Sequence, residues 1–95
     1  MILQFIKLKS ALPEEDILKK ANARKPEFIA IPGLLQKYYV KLNEEGKYGG
    51  IYVWESQEAL LAFKASDLAK SIPQAYEVIE TPEIEFMKIM FQLRD

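Results

Sequence analysis

Hydrophobic and polar residues alternate in three segments of the chain, as they do in β-strands that have two different faces. Residues 2–9 form such a run, in which Gln4 lies on the same side as three aliphatic residues. Residues 34–42 and 48–55 are two further runs that are rich in β-formers. The polar loop 43–47 between them contains a glycine where a positive φ angle is wanted, which predicts a β-hairpin.

Residues 75–93 predict a last strand that is long and bent. They contain two β-like stretches, AYEVIE and IEFMKIMFQL, which are interrupted at Pro82. Proline lacks an amide hydrogen, so within a sheet it is confined to edges and bulges. Apolar residues occur on both faces of the second stretch, so neither face is suited to water. A second sheet is therefore expected to cover this strand.

Two helical patterns separate the predicted strands. Pro13, followed by three acidic residues, is typical of the first turn of a helix, and apolar residues recur after it at helical spacing. Pro26 is expected to kink or divide this first helix. Ser56 is a suitable N-cap for a second helix over residues 57–65, and a short helix is expected to continue over residues 66–71.

The order of elements, β, α, β, β, α, β, predicts a single α+β domain that covers residues 1–95. Its antiparallel sheet is expected to be ferredoxin-like, with both helices on one face. The strands remain hydrophobic on both sides, and a chain this short covers its apolar surface poorly when it is alone. We therefore expect two identical subunits to pack their bare sheet faces together as a homodimer.

Composition excludes several classes of function. The 95 residues include no cysteine and no histidine, which excludes disulfides, thiol nucleophiles, Ser-His-Asp chemistry and the usual haem ligand. The formal net charge is −1, and acidic residues accompany the basic ones, so no nucleic acid is expected as a partner. No apolar stretch is long enough to cross a bilayer. A cytoplasmic, soluble protein without a membrane partner is expected.

Short motifs along nearly the whole chain carry a resemblance to a known group of proteins. The motifs of the second and third strands resemble the proposed monooxygenases of the YdhR type; they are Pro32-Gly33-Leu34, Lys37 and Gly49-Gly50-Ile51-Tyr52. The motif Trp54-Glu55-Ser56, followed by Ala59 and Phe63, resembles the wider antibiotic-biosynthesis monooxygenase superfamily. The resemblance implies a dimeric α+β barrel with a small apolar cavity in each subunit. It also implies that oxygenase members bind phenolic or quinol-like compounds without a metal or flavin cofactor.

The chemistry of a cofactor-free oxygenase suggests which residues form the site. The protein has to bind an electron-rich ring, promote its deprotonation and stabilise the resulting anion. Tyr52 and Trp54 share one face of the third strand, and Gln36 shares a face with Tyr38 on the second. We interpret Trp54 as a stacking wall and Gln36, Tyr38 or Tyr52 as the group that orients a ring hydroxyl. Phe63 would close the pocket from the second helix. No catalytic residue is assigned.

Each of these positions also has a purely structural interpretation. A tryptophan or tyrosine on a buried strand is more often a core residue than a ligand contact. Lys37 and Lys41 share a face with Tyr39 and are most simply solvent-facing or interface residues, although a lysine near the cavity could stabilise an anionic substrate. A bulge at Gly49-Gly50 would reverse the faces assigned downstream of it.

Three functions are compatible with this pattern. The first is a cofactor-independent monooxygenase that acts on a small aromatic compound. The second is a non-catalytic homodimer that binds a small hydrophobic or aromatic ligand or acts in a stress response. The third is an effector-binding subunit of the same general fold. Haem degradation is disfavoured, because the haem-degrading relatives use a histidine ligand and this chain has none.

Overall fold

The computed structural model describes residues 1–94, within which there are four strands and four helices. The strands are β1 (Ile2–Lys9), β2 (Leu34–Lys41), β3 (Lys47–Trp54) and β4 (Glu83–Lys88). The helices are α1 (Glu14–Ile29), α2 (Gln57–Lys64), α3 (Asp67–Lys70) and α4 (Ile72–Ala75). The strands form one antiparallel sheet in the order β2-β3-β1-β4, and the helices pack on one face of it. This is the predicted ferredoxin-like α+β fold.

The core lies between the sheet and the helices. Helix α1 turns four side chains inward at helical spacing; they are Ile17, Ala21, Arg24 and Phe28. Phe28 joins a cluster with the side chains that β3 and α2 contribute; these are Tyr52, Trp54, Leu60 and Phe63. The second strand of the hairpin, β3, therefore supplies two of the aromatic residues at the centre of the core.

A glycine turn connects α1 to β2 and determines how closely α2 packs. Gly33 has φ = +80°, a left-handed conformation that a residue without a Cβ adopts readily. A Cβ placed on Gly33 would clash with the Cβ of Ala59 on α2, so a side chain has no room there. The Gly33 carbonyl also accepts a hydrogen bond of 2.8 Å from the backbone N–H of Glu55, which closes the turn against the end of β3.

A bulge occurs in β2 and not in β3. The pairing of β2 with β3 shifts by one residue between Leu34 and Gln36, whereas Gly49 and Gly50 pair with β1 without interruption. Downstream of the bulge, Lys37 lies opposite Tyr52 and therefore faces the helices. The bulge thus decides which side of the edge strand contributes to the core.

Pro26 does not divide α1. The helix runs through it to Ile29, and the backbone N–H of Ala30 donates to the Pro26 carbonyl at 3.2 Å. Proline removes only the one hydrogen bond that its own amide would make. Because Pro26 lies in the last turn, between the buried residues Arg24 and Phe28, tertiary packing holds the helix on both sides of it.

The prediction of a long last strand is wrong. Residue 75, the first of the predicted stretch, is the end of α4, and Val78 forms only an isolated bridge with Ser10. Strand β4 begins at Glu83 and ends at Lys88. Strand β4 is at the sheet edge and has β1 as its single neighbour. Lys88 pairs with Ile2, where β1 begins, so no strand among residues 1–94 lies opposite the residues that follow Lys88.

One face of the sheet is covered by no helix within residues 1–94. Its apolar side chains are half-buried or exposed and come from all four strands; they are Leu3, Phe5, Tyr38, Val40, Ile51, Val53 and Met87. Tyr38 is 55% exposed and Met87 is 48% exposed. We call this surface the open sheet face.

Candidate ligand cavity and active site

The helix-side face of β2 and β3 brings a lysine into an aromatic environment. Lys37 and Tyr39 lie on this face of β2, where Lys37 is opposite Tyr52 and Tyr39 is opposite Gly50 of β3. Phe28 reaches the same region from α1. The Lys37 Nζ atom lies 3.7 Å from the ring centroid of Phe28, 4.3 Å from that of Tyr39 and 4.5 Å from that of Tyr52. Three aromatic rings therefore enclose the amine.

Burial lowers the pKa of Lys37 from its ordinary 10.5 to about 7, and the positive charge of Arg24 acts in the same direction. Cation–π attraction favours the charged amine, but removal from water and the second cation oppose it. Neither Lys37 nor Arg24 forms an ion pair within residues 1–94. At neutral pH the amine is thus divided between its neutral and charged forms.

Arg24 connects the lysine site to the short helices. Its Nη2 atom donates a hydrogen bond of 2.6 Å to the Ser71 Oγ, and the Leu68 carbonyl lies 3.5 Å from the same nitrogen. The guanidinium carbon lies 5.7 Å from the Phe28 ring centroid and 5.8 Å from that of Tyr76. Arg24 is 9% exposed, so water screens its charge poorly and the charge lowers the pKa of Lys37.

Three tyrosine hydroxyls near this site stay protonated at neutral pH. Burial raises the pKa of Tyr39, of Tyr52 and of Tyr76 above its ordinary value of 10.0, most strongly for Tyr52. The Tyr76 hydroxyl is buried and has no hydrogen-bond partner within residues 1–94. These groups can act as hydrogen-bond donors to an oxygen atom in the cavity.

Two cavities meet at Lys37 and Tyr39. We call the larger one, about 290 Å³ between α1 and β2, the outer groove; it is lined by Lys25, Phe28, Ile29, Leu34, Leu35, Gln36, Lys37 and Tyr39. The inner cavity, about 50 Å³, lies deeper between the sheet and the helices. Besides Lys37 and Tyr39, it is lined by Ile6, Leu8, Ile17, Tyr48, Gly49, Gly50, Tyr52, Ile72 and Tyr76.

Gly50 leaves space for the lysine. A Cβ at this position would lie 3.0 Å from Cε1 of Tyr52 and 3.3 Å from Cε of Lys37. Such a methyl group would crowd both side chains at the wall of the inner cavity. The glycine therefore allows the lysine stem and the tyrosine ring to meet over the sheet.

Trp54, predicted as the stacking wall of the site, lies behind Tyr52 and not at a cavity surface. Trp54 is fully buried and lines neither of the two cavities. Its indole stacks on Tyr52, with ring centroids 5.9 Å apart and planes 3° apart, and its Nε1 donates a hydrogen bond of 2.9 Å to the Gln4 Oε1. Phe63 packs against Trp54 at 5.3 Å, and it too lines neither cavity. Both residues support Tyr52, which does line the inner cavity.

Gln36 and Tyr38 are separated from Tyr52 and Trp54. They follow the bulge on the opposite parity to Lys37, and Tyr38 is part of the open sheet face. Gln36 lies on the edge strand and lines the outer groove, where its Oε1 accepts a hydrogen bond of 3.0 Å from the Lys37 backbone N–H. Of the predicted site residues, Tyr52 and Gln36 thus contact the cavities, while Tyr38 lies on the other side of the sheet.

For Lys37, the central residue of this site, the sequence interpretation favoured a solvent-facing or interface position and kept a position near the cavity as the alternative. The signal in the sequence was its shared parity with Tyr39, but that parity does not say which face the helices cover. Within residues 1–94 no group of three or more acidic, cysteine or histidine side chains is arranged to hold a metal ion. No helix in the same range is both long and apolar enough to cross a membrane.

Fold and site together define a class: a ferredoxin-like domain with a ligand cavity between its sheet and its helices. No protein-family model and no curated protein matches the sequence. Solved structures match over nearly the whole chain. SnoaB, a cofactor-independent oxygenase from Streptomyces nogalater, has a TM-score of 0.76 and 14% identity, with 99% of this chain and 97% of SnoaB covered.

Two further structures give the same result. A protein of Caulobacter crescentus, named as a proposed antibiotic biosynthesis monooxygenase, has a TM-score of 0.71 and 24% identity, with 95% of this chain and 90% of that chain covered. A protein of unknown function from Nitrosomonas europaea has a TM-score of 0.75 and 16% identity, with 96% of this chain and 90% of that chain covered. The chain therefore has the fold of the antibiotic biosynthesis monooxygenases, as predicted. The narrower resemblance to the YdhR type stays a prediction.

Proposed function

We propose that this protein is a cofactor-independent monooxygenase that oxidises a small phenolic or quinol-like compound in the outer groove. The single observation that carries the proposal is the amine of Lys37, which three aromatic rings enclose at the meeting point of two cavities. A fold shared with a cofactor-independent oxygenase supports the same class of reaction, although a fold alone does not determine function.

The outer groove has the size and charge that a small phenol requires. Its volume of about 290 Å³ is at the lower end of the range for small-molecule sites. The charged residues that line it are Lys25 and Lys37, and none of the acidic residues within 1–94 lines either cavity. A phenolate would therefore gain a favourable charge interaction that a cationic ligand would not.

The neutral amine of Lys37 can accept the proton of the phenol. The products of this step are an ammonium group and a phenolate, and their attraction is strengthened by exclusion of water. The phenolate then donates electrons to dioxygen. For a phenol with a free para position, one oxygen atom enters the ring as a quinone carbonyl and the other leaves as water. The substrate and dioxygen supply every atom and electron, so no cofactor is required.

We further propose that the protein is a homodimer formed through the open sheet face. An apolar sheet surface is seldom left in water, and neither the helices nor any other described part of the chain covers this one. A second copy presents the same surface, so a two-fold axis would cover both faces at once. Each helix-side cavity would remain accessible in such an assembly.

Aerobic turnover of 1-naphthol tests the enzymatic proposal. We expect the wild-type protein to consume dioxygen and form 1,4-naphthoquinone, and we expect Lys37→Met to lower kcat by at least about 100-fold, because the base is lost. Lys41→Met is the matched control. Lys41 lies on the same strand and the same face as Lys37, but its side chain is 70% exposed and forms an ion pair with Glu14. Its loss should therefore leave turnover unchanged.

Two other outcomes would contradict the proposal. Equal activity in wild type and Lys37→Met would show that Lys37 is not the base. Saturable binding of 1-naphthol without product in air would favour the non-catalytic binding protein instead. Circular dichroism and thermal unfolding of each variant would show whether the fold has been retained.

A further inference from the structure

The two cavities differ in size and share a wall. Lys37 and Tyr39 line both, and the remaining side chains of each are different. An engineered apolar cavity of about 150 Å³ holds benzene. The outer groove, about 290 Å³, exceeds that volume, whereas the inner cavity, about 50 Å³, is too small for a six-membered ring. Of the two, the outer groove therefore suits the aromatic substrate, and the inner cavity suits a molecule of two or three atoms.

The lining of the inner cavity suits a small apolar molecule that becomes negatively charged. Most of it is aliphatic side chain, glycine backbone or aromatic ring. The residues with polar groups in this lining are Lys37 and four tyrosines, Tyr39, Tyr48, Tyr52 and Tyr76. Of their hydroxyls, that of Tyr76 is buried, in a residue that is 7% exposed, and has no hydrogen-bond partner within residues 1–94. An orphaned buried hydroxyl is costly unless an occupant accepts its hydrogen bond.

We propose that the inner cavity is the dioxygen site and that dioxygen meets the aromatic substrate of the outer groove at Lys37, which lines both cavities. This inference rests on the proposed function. Transfer of neutral, apolar dioxygen from water into apolar space is favourable. Once the phenolate transfers one electron, the products are a phenoxyl radical and superoxide, and the superoxide lies beside the ammonium that received the phenol proton.

The later steps return the proton to its source. The radical and superoxide combine at the para carbon to form a carbon–oxygen bond and a peroxide anion. The anion takes the proton from the Lys37 ammonium, which regenerates the neutral amine, and the hydroperoxide then loses water to give the quinone. Lys37 thus acts first as a base and then as the counter-ion and acid for reduced oxygen.

Xenon binding tests the site independently of activity. We expect one xenon atom to bind in the inner cavity of the wild-type protein, as detected by xenon-129 NMR or by shifts of nearby methyl signals. Gly50→Ala adds a methyl group at the wall, and Ile72→Phe fills the cavity from α4; both should abolish binding. Ile79→Phe is the control, since Ile79 is 57% exposed and does not line the cavity. A wild type that holds ordered water and excludes xenon would overturn the inference.

Steady-state kinetics separate failure of this inference from failure of the proposed function. In Ile72→Phe we expect KM for dioxygen to rise at least about fivefold while KM for 1-naphthol changes less than about twofold. Turnover with an unchanged KM for dioxygen in the filled variants would contradict the dioxygen site alone. Absence of turnover in the wild type would contradict both proposals.

Discussion

At the scale of single residues, burial of the Lys37 amine lowers the stability of the folded protein at every pH below the ordinary lysine pKa of 10.5. The ordinary pKa of a lysine is 10.5, and burial lowers the pKa of Lys37 to about 7 in the folded protein. Between these values the unfolded chain binds a proton that the folded protein has released. The free energy of unfolding therefore rises as the pH rises through this window.

We expect the wild-type protein to gain up to roughly 2 kcal/mol of stability between pH 7 and pH 9. Lys37→Met should remove most of this gain and should be more stable than wild type at pH 7. Lys41→Met, whose side chain is exposed, should retain the wild-type slope. Urea unfolding at several pH values gives the free energy of unfolding of all three proteins. If it changed with pH equally in wild type and Lys37→Met, the pKa of Lys37 would not be lowered by folding. The buried tyrosines act in the opposite direction, and only above their ordinary pKa of 10.0. There the unfolded chain loses the phenolic proton before the folded protein does, so the free energy of unfolding falls as the pH rises.

At the scale of elements, local patterns predicted most of the fold. The first strand has the predicted bounds, and both hairpin strands agree to within one residue, because alternation and a glycine-containing loop are properties of neighbouring residues. The extent of β4 depends on where its partner strand begins. The same apolar alternation continues beyond Lys88, but no strand is available to pair with it.

The candidate site was less predictable than the elements because it depends on register. Alternation correctly grouped Tyr52 with Trp54 and Lys37 with Tyr39. It could not say that a bulge between Leu34 and Gln36 sets the register in which Lys37 and Tyr52 meet on the same side of the sheet. Nor could it say which aromatic ring borders a cavity and which lies behind it. Depth from a cavity is a property of packing and has no local signature.

At the scale of the whole molecule, the proposed dimer depends on the open sheet face. We expect native mass spectrometry to show a dimer and Phe5→Lys to weaken it at least about tenfold, because a charge would be buried in an apolar interface. Leu61→Lys is the control, since Leu61 is a 51% exposed residue on α2, away from this face. A monomeric wild type, or equal weakening by both substitutions, would contradict the proposed interface.

Assembly and chemistry are separable in this fold. The open sheet face and the cavities lie on opposite sides of the sheet, which Lys37 and Tyr38 illustrate as neighbours that point apart. Loss of the dimer should therefore affect turnover only through stability. The proposed oxygen chemistry would take place on the helix side, where Lys37 lines both cavities.

Labelling with ¹⁸O₂ is the measurement that tests this chemistry most directly. The protein would be dialysed against a chelator, mixed with 1-naphthol under ¹⁸O₂ and analysed for product by mass spectrometry. We expect 1,4-naphthoquinone that carries one ¹⁸O atom, with the second recovered in water, and little product from Lys37→Met. Product without the label, product dependent on added metal, or no product at all would contradict cofactor-independent oxygenation at Lys37.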